Sequence, residues 1–210
     1  MILFVSLFLL AYLLGSIPTS VWVGKWFFGI DVRQHGSGNA GATNTIRVLG
    51  WKAGGPVFVV DIAKGFAAAS LVWATELMPK TSQFVNFQLI LGFAALLGHI
   101  FPVFAGFRGG KGVATLLGVV IALSPLPAVL AFMVFLVILF IFKYVSLASM
   151  TAGLSYPLML WFLFPTLPLS LKIAGIVMSL ALIATHKKNI LRLIKGEESK
   201  AYFLIGKKNK

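Results

Sequence analysis

The sequence lacks cysteine altogether and contains very few acidic residues. Without cysteine, disulfides and thiolate metal sites are excluded. The five acidic residues do not cluster with the spacing of a carboxylate metal site, so we expect neither a metal nor a cofactor. Charged residues make up only 11% of the 210 residues, and hydrophobic residues make up 59%. Soluble domains carry about 25% charged residues. The sequence therefore predicts an all-α, polytopic integral membrane protein.

The positive charge is concentrated near the end of the chain. Eight of the 18 lysines and arginines follow His186. Such a tail on a membrane protein usually marks the cytoplasmic face, so we expect contact with membrane lipids and no nucleic-acid partner. No change in composition marks a second domain. We expect one transmembrane domain over residues 1–210, with a basic cytoplasmic tail from about residue 186.

Long apolar runs predict the membrane spans, because about 20 apolar residues cross the hydrocarbon core as a helix. The predicted crossings are residues 3–23, 54–77 and 87–107, followed by two longer runs at 113–142 and 150–185. The first 23 residues lack the basic start of a cleaved signal peptide, so we expect a retained first helix. Proline pairs, "SPLP" and "PTLP", interrupt the two longer runs, and proline breaks helices. Splitting both runs gives seven spans, and leaving them whole gives five.

The distribution of basic residues predicts the orientation. With seven spans, only Lys80 and Lys172 lie on the side opposite the tail. The positive-inside rule then places the N-terminus outside and the C-terminus in the cytoplasm. The five-span alternative differs in placing Lys143 outside.

A stretch of small and polar residues, "GSGNAGATN" at 36–44, follows the first span. Glycine-permitted turns can point several backbone N–H groups into one concavity that suits an anion. Arg47 adds a planar guanidinium that matches phosphate oxygens. The stretch on its own is also typical of a flexible surface turn. Together with Arg47, it predicts an anion-binding loop.

A second glycine-rich stretch, "GGKG" at 109–112, follows the third span. It places Lys111 at a predicted helix start, where free N–H groups and the helix dipole favour anions. The spacing does not fit a Walker A loop. The alternative is a basic loop with packing glycines. The nearby His99 lies inside an apolar span, and we expect it to be a structural hydrogen-bonding residue.

Three further polar features lie in or beside the spans. His186 and Asn189 in "HKKNILRLIKGEE" are three positions apart, so they share a face of a helix, which is also amphipathic enough to lie on lipid. Ser146 and Ser149 share a face at the cytoplasmic end of a span. Asp61 and Lys64 face the same way inside the second span, and we expect them to pair, because an unpaired charge there is costly.

The order of these motifs resembles the bacterial acyl-phosphate:glycerol-3-phosphate acyltransferase family (PlsY type). The resemblance runs nearly end to end through "YLLGSIP", "GSGNAGATN", "DIAKG", "GHIFPVF", "GGKGVAT", "KYVSLAS" and "HKKNILRLIKGEE". It implies a seven-helix enzyme of the bacterial plasma membrane with its active site on the cytoplasmic face. That enzyme transfers an acyl chain from acyl phosphate to the 1-position of glycerol 3-phosphate, forming lysophosphatidic acid. Thr185 replaces an arginine that is common in the family, and Glu198 fits the register of the family's Gly-x-Glu better than Glu197 does.

The resemblance also implies the site residues. Arg47, Lys111, His186 and Asn189 hold glycerol 3-phosphate; Ser37, Asn39, Thr43 and Ser149, with glycine amides, hold acyl phosphate. The catalytic set comprises Ser37, Arg47, Lys111, His186 and Asn189. The substrate-binding set comprises Gly36, Gly38, Asn39, Gly41, Thr43, Asn44, Gly109, Gly110, Gly112, Thr115, Ser146, Ser149 and Glu198. No metal ligand is implied.

Acyl phosphate is a mixed anhydride with a good leaving group, so we expect direct transfer without an acyl-enzyme. The proton acceptor is either His186 or the phosphate of the donor. A different class of function is a membrane transporter for phosphate or glycerol phosphate. A transporter predicts polar residues near the bilayer midplane. Only Asp61, Lys64 and His99 meet that condition.

Overall fold

The computed structural model describes residues 1–202, so the end of the predicted basic tail, residues 203–210, lies outside the described residues. The described part forms two compact units, Met1–Ser124 and a second that starts at Pro125. The first unit contains α1 (Ile2–Gly15), α2 (Thr19–Phe28), α3 (Ala42–Leu49), α4 (Trp51–Ser70), α5 (Ser82–Ile100) and α6 (Val113–Leu123). The second contains α7 (Pro125–Phe142), α8 (Val145–Phe162), α9 (Leu169–Thr185) and α10 (Lys187–Ile194).

The all-α membrane architecture is confirmed, with four to six candidate spans. Within residues 1–202, four helical segments are long and apolar enough to cross a bilayer: Trp51–Ala74, Ser82–Ala105, Pro125–Phe142 and Val145–Phe162. The pairs α1–α2 and α9–α10 also qualify, but they are bent by 45° and 62°. Helix α6 has only 11 residues and is shorter than an ordinary span.

The predicted first crossing, residues 3–23, is broken into two helices. Helix α1 ends at Gly15, and α2 begins at Thr19, directly after Pro18. Proline has no N–H to donate and disfavours helical backbone in the residue before it. The break leaves the backbone of Ile17 outside the helical ladder, where its carbonyl oxygen accepts a hydrogen bond from Lys64 Nζ at 2.8 Å.

The predicted breaks in the two long apolar runs are confirmed. Helix α6 ends at Leu123, and α7 begins at Pro125. Helix α8 ends at Phe162, and α9 begins at Leu169, after the "PTLP" segment. Proline alone does not decide where helices break, because Pro56 and Pro157 lie inside α4 and α8.

Glycine allows the helices of the first unit to pack closely. A Cβ added to Gly65 of α4 would overlap the backbone of Thr115, and one added to Gly118 of α6 would overlap the carbonyl of Ile62. Between α1 and α5, a Cβ added to Gly15 or Gly98 would likewise overlap backbone atoms of the other helix. Small residues at helix contacts and large apolar residues on the outside are typical of helices packed in lipid.

The second unit is built on α8, which packs against both α7 and α9. Gly175 of α9 lies against Leu160, Tyr156 and Pro157 of α8. Beyond α10 the chain returns to the turn between α7 and α8, where the N–H of Ala201 donates to the carbonyl of Lys143 at 2.7 Å. This return brings Glu198 to the start of α8, where Ser146 lies.

Candidate active site

The first glycine-rich segment is shorter as a loop than predicted, because α3 begins at Ala42. Gly36 and Gly38 have φ of +61° and +72°, left-handed backbone that favours glycine. Ser37, between them, is exposed. Thr43 and Asn44 belong to the first turn of α3 and are therefore helical, and Arg47 lies in its last turn.

The side chain of Asn44 organises this loop. Its Oδ1 accepts hydrogen bonds from the backbone N–H and the hydroxyl of Ser37, at 2.8 and 3.1 Å. Its Nδ2 donates to the carbonyls of Val32 and His35, at 2.8 and 3.1 Å. A side-chain amide donates two hydrogen bonds and has two acceptor lone pairs, so the loop uses all of them. Asn44 is also fully buried, and its four hydrogen bonds hold the framework of the loop.

The second glycine-rich segment follows α5 and leads into α6. The N–H groups of Gly109 and Gly110 donate to the carbonyls of Ile100 and His99, at 3.1 and 3.2 Å. Gly112 caps α6 with a φ of +80°, so Lys111 lies immediately before the helix start, as predicted. Lys111 is half-buried and precedes a helix N-terminus, whose free N–H groups suit an anion.

The two loops meet at Gly110. A Cβ there would overlap His99 Nε2 and would lie only 2.5 Å from the carbonyl oxygen of Ala40. Ala40 belongs to the first glycine-rich segment, so glycine at 110 allows the two backbones to approach each other. The first unit therefore places Ser37 and Lys111 on two neighbouring loops at one end of its helices.

A buried polar network lies beneath this junction. Lys64 Nζ and Asp61 Oδ1 are 2.7 Å apart, as the predicted pairing requires, and Thr19 Oγ1 donates to the same carboxylate oxygen at 3.2 Å. His99 is buried, and its Nδ1 lies 2.9 Å from the hydroxyl of Thr115. The expected structural role of His99 thus has a geometric basis. Thr115, predicted to bind substrate, is fully buried, and its hydroxyl contacts His99.

Asp31 and Arg33 form an ion pair beside the loops that the sequence analysis did not single out. Arg33 Nη2 lies 2.7 Å from Asp31 Oδ2. Hydrogen bonding to the Arg33 guanidinium lowers the pKa of the Asp31 carboxyl from 3.8 to about 2. The ion pair therefore contributes its full stability above about pH 4. This contribution is lost as the pH falls from about 4 through about 2. The sequence feature that could have indicated this ion pair is the opposite charges of "DVR" at residues 31–33.

In the second unit, Glu198 contacts two predicted site residues, Ser146 and Asn189. Its Oε1 accepts hydrogen bonds from Ser146 Oγ and Asn189 Nδ2, both at 2.6 Å. Its Oε2 lies 3.1 Å from Arg192 Nε. Glu197 is exposed, so the register that favoured Glu198 agrees with this geometry.

His186 and Ser149 are both buried in the second unit. His186 Nδ1 lies 2.8 Å from the carbonyl oxygen of Leu182. A carbonyl only accepts, so Nδ1 carries a proton, and Nε2 is the acceptor atom of the neutral ring. His186 precedes α10, Asn189 lies in the helix's first turn, and both side chains are buried. Ser149 Oγ donates to the carbonyl of Val145 at 2.8 Å.

Comparison with known proteins identifies the family. Residues 5–196 match the family model for glycerol-3-phosphate acyltransferase. A glycerol-3-phosphate acyltransferase of Chlorobaculum tepidum is 41% identical, with 100% of both chains covered. One of Chlorobium luteolum is 38% identical, covering 97% of this chain and 98% of the relative. The chain belongs to the glycerol-3-phosphate acyltransferase family.

Two crystal structures of another family member support the fold of this acyltransferase. One is PlsY (YgiH), an integral membrane glycerol 3-phosphate acyltransferase, in its glycerol 3-phosphate form. It aligns with a TM-score of 0.85 and 41% identity, covering 97% of this chain and 99% of that one. Its lysophosphatidic acid form aligns with a TM-score of 0.83 and 40% identity over the same shares. The resemblance drawn from the motifs is thus confirmed at the level of the family.

Proposed function

We propose that this acyltransferase moves an acyl chain from acyl phosphate to the 1-position of glycerol 3-phosphate. The products are lysophosphatidic acid and inorganic phosphate. The observation that carries the proposal is similarity over 97% of the chain to an acyltransferase whose crystal structures are a glycerol 3-phosphate form and a lysophosphatidic acid form. We retain the prediction of a single transmembrane acyltransferase domain.

We propose two groups of substrate-binding residues, divided by the phosphate that each group holds. The group for glycerol 3-phosphate is Arg47, Lys111, His186 and Asn189. The group for acyl phosphate is Ser37, Asn39, Thr43 and Ser149, with the amides of the glycine-rich loops. Two observations support the division. Lys111 precedes the N-terminus of α6, where an anion is favoured, and the exposed Ser37 lies between two glycines with left-handed backbone.

The proposed reaction is a single acyl transfer. The 1-hydroxyl oxygen of glycerol 3-phosphate attacks the carbonyl carbon of acyl phosphate, and the bond from that carbon to the phosphate oxygen breaks. Phosphate leaves with its electron pair. The hydroxyl proton passes either to His186 Nε2 or to the departing phosphate. Because the donor is already activated, positioning and charge stabilisation supply most of the rate enhancement.

We further propose seven spans in the bacterial plasma membrane, with the N-terminus outside and the active site on the cytoplasmic face. Four long segments, two bent pairs and the short α6 together make seven. The helix breaks at Ser124 and before Leu169 argue against five longer spans. The excess of lysine and arginine on the side of the glycine-rich loops supports the orientation.

Incubation of the purified protein with acyl phosphate and labelled glycerol 3-phosphate tests the reaction. We expect labelled lysophosphatidic acid and an equal amount of released phosphate. Acyl-CoA supplied in place of acyl phosphate is the control for the donor, and it should give no product. Uptake into vesicles that contain the protein distinguishes a transporter from an acyltransferase. A transporter should take up labelled glycerol 3-phosphate without forming a lipid product.

A further inference from the structure

Arg33 lies just before the first glycine-rich segment of the first unit and contacts the turn that precedes the second. Beyond its ion pair with Asp31, its Nη1 donates hydrogen bonds to the carbonyl of Ala105 at 2.9 Å and to that of Arg108 at 3.2 Å. These carbonyls lie more than 70 positions along the chain, at the two ends of the turn that precedes Lys111. One guanidinium therefore holds both ends of this turn.

The turn contains two consecutive residues with left-handed backbone. Gly106 has a φ of +63° and Phe107 a φ of +58°. Glycine adopts this conformation freely, whereas a bulky aromatic residue does so only where its surroundings impose it. The Phe107 ring is more than half exposed, so packing of the ring does not impose the conformation. The N–H of Phe107 donates to the carbonyl of Pro102 at 2.9 Å, and the Arg33 hydrogen bonds close the turn on either side.

We propose that Arg33 is a positioning residue that holds the 105–108 turn in this conformation and thereby fixes the position of Lys111. The inference rests on the proposed function, in which Lys111 binds glycerol 3-phosphate. Gly109 and Gly110 lie between the turn and Lys111, and they are anchored through backbone hydrogen bonds. A change in the conformation of the turn therefore reaches Lys111 through a short, ordered segment.

The effect of losing Arg33 should be selective for one substrate. The first loop retains its own support, because Asn44 makes four hydrogen bonds to Val32, His35 and Ser37. At the 105–108 turn, the Arg33 side chain supplies hydrogen bonds to the carbonyls at both ends. Removal of the guanidinium should therefore disturb the binding of glycerol 3-phosphate more than that of acyl phosphate.

Four variants test the proposal in the full-length protein. Arg33→Gln removes the guanidinium, and Arg33→Lys keeps the charge but lacks the fork that spans a carboxylate and two carbonyls. Lys25→Gln is the matched control, since Lys25 also faces Asp31, at 3.6 Å, without contacting the turn. Arg33→Gln combined with Phe107→Asn tests the turn itself, because asparagine tolerates left-handed backbone. The measurements are KM for each substrate and kcat.

We expect Arg33→Gln to raise KM for glycerol 3-phosphate on the order of 10- to 100-fold, with KM for acyl phosphate within about twofold. For Arg33→Lys, KM for glycerol 3-phosphate should lie between the values of Arg33→Gln and the unmodified protein. For Lys25→Gln, it should equal that of the unmodified protein. Adding Phe107→Asn to Arg33→Gln should lower this KM part of the way back. An Arg33→Lys protein with unchanged constants, an equal rise in both KM values, or no recovery with Phe107→Asn would each overturn the proposal. Failure of the unmodified protein to form lysophosphatidic acid would instead refute the proposed function.

Discussion

Lys64 Nζ lies 2.7 Å from Asp61 Oδ1, one helical turn away inside the apolar helix α4. Both side chains are less than 5% exposed. The lysine also donates to the carbonyl of Ile17, and the aspartate accepts from the hydroxyl of Thr19. The pair therefore links α4 to the break between α1 and α2, where it hydrogen-bonds to the carbonyl of Ile17 and the hydroxyl of Thr19.

Removing one member of this pair should destabilise the protein strongly. Asp61→Asn and Lys64→Met each leave the opposite charge buried without its partner, which typically costs about 3–5 kcal/mol. The double variant leaves no buried charge and should be more stable than either single variant. Thermal unfolding of the three purified proteins in detergent measures the difference. Single variants that unfold at the temperature of the unmodified protein would contradict this account of the pair.

Gly110 should not tolerate even a methyl group. In Gly110→Ala, the new Cβ overlaps His99 Nε2 and crowds the carbonyl of Ala40, so the two loops must separate. We expect a loss of activity on the order of 100-fold, the scale expected for a displacement of about 1 Å at a site. Gly55→Ala is the matched control, because a Cβ at Gly55 only reaches ordinary contact with Trp51. Equal activities of the two variants would show that the loops do not depend on this close approach.

Much of the fold could be predicted because the physical constraints are local. Proline-rich turns end helices α6 and α8, and a charge inside a span requires a partner, which Asp61 and Lys64 provide for each other. The break at Pro18 was missed because the residues around it are as apolar as those of the helices. The start of α3 at Ala42 was missed because glycine, serine and asparagine are equally compatible with a loop and with a helix start.

The candidate site was harder to predict, because its supporting contacts join residues that are distant in the sequence. Arg33 reaches the carbonyl of Ala105, 72 positions away, and Glu198 reaches Ser146, 52 positions away. No periodicity in the sequence encodes such contacts. Burial also separates residues that the motifs group together, since Asn44 and Thr115 are fully buried while Ser37 is exposed.

Cysteine labelling tests the orientation directly, because the sequence contains no native cysteine. With seven spans, a cysteine at position 143 should be protected from an impermeant thiol reagent added to intact cells, and a cysteine at position 80 should react. A cysteine at position 108 is the protected control in both the seven-span and the five-span arrangements. Labelling at 143 with protection at 108 would favour five spans.

Activity should not require a metal ion. Only five acidic residues are present, and three of them, Asp31, Asp61 and Glu198, are engaged by neighbouring side chains. Direct transfer from an activated donor also needs no Lewis acid in the proposed reaction. We expect the rate to be unchanged in excess chelator. Loss of activity that added magnesium restores would contradict this expectation.

The central claim is that the glycine-rich loops hold the phosphates during acyl transfer, and Lys111 provides the most direct measurement. Loss of a charge-assisted contact that acts in the transition state costs about 2–4 kcal/mol, or roughly 30- to 1,000-fold in rate. We therefore expect Lys111→Ala to form lysophosphatidic acid at least about 30-fold more slowly while it inserts normally, and Lys111→Arg to retain part of the activity. Arg108→Ala, which removes an exposed side chain three positions away, is the control and should lose far less. A Lys111→Ala protein that runs near the unmodified rate at both limiting and saturating glycerol 3-phosphate would contradict the claim.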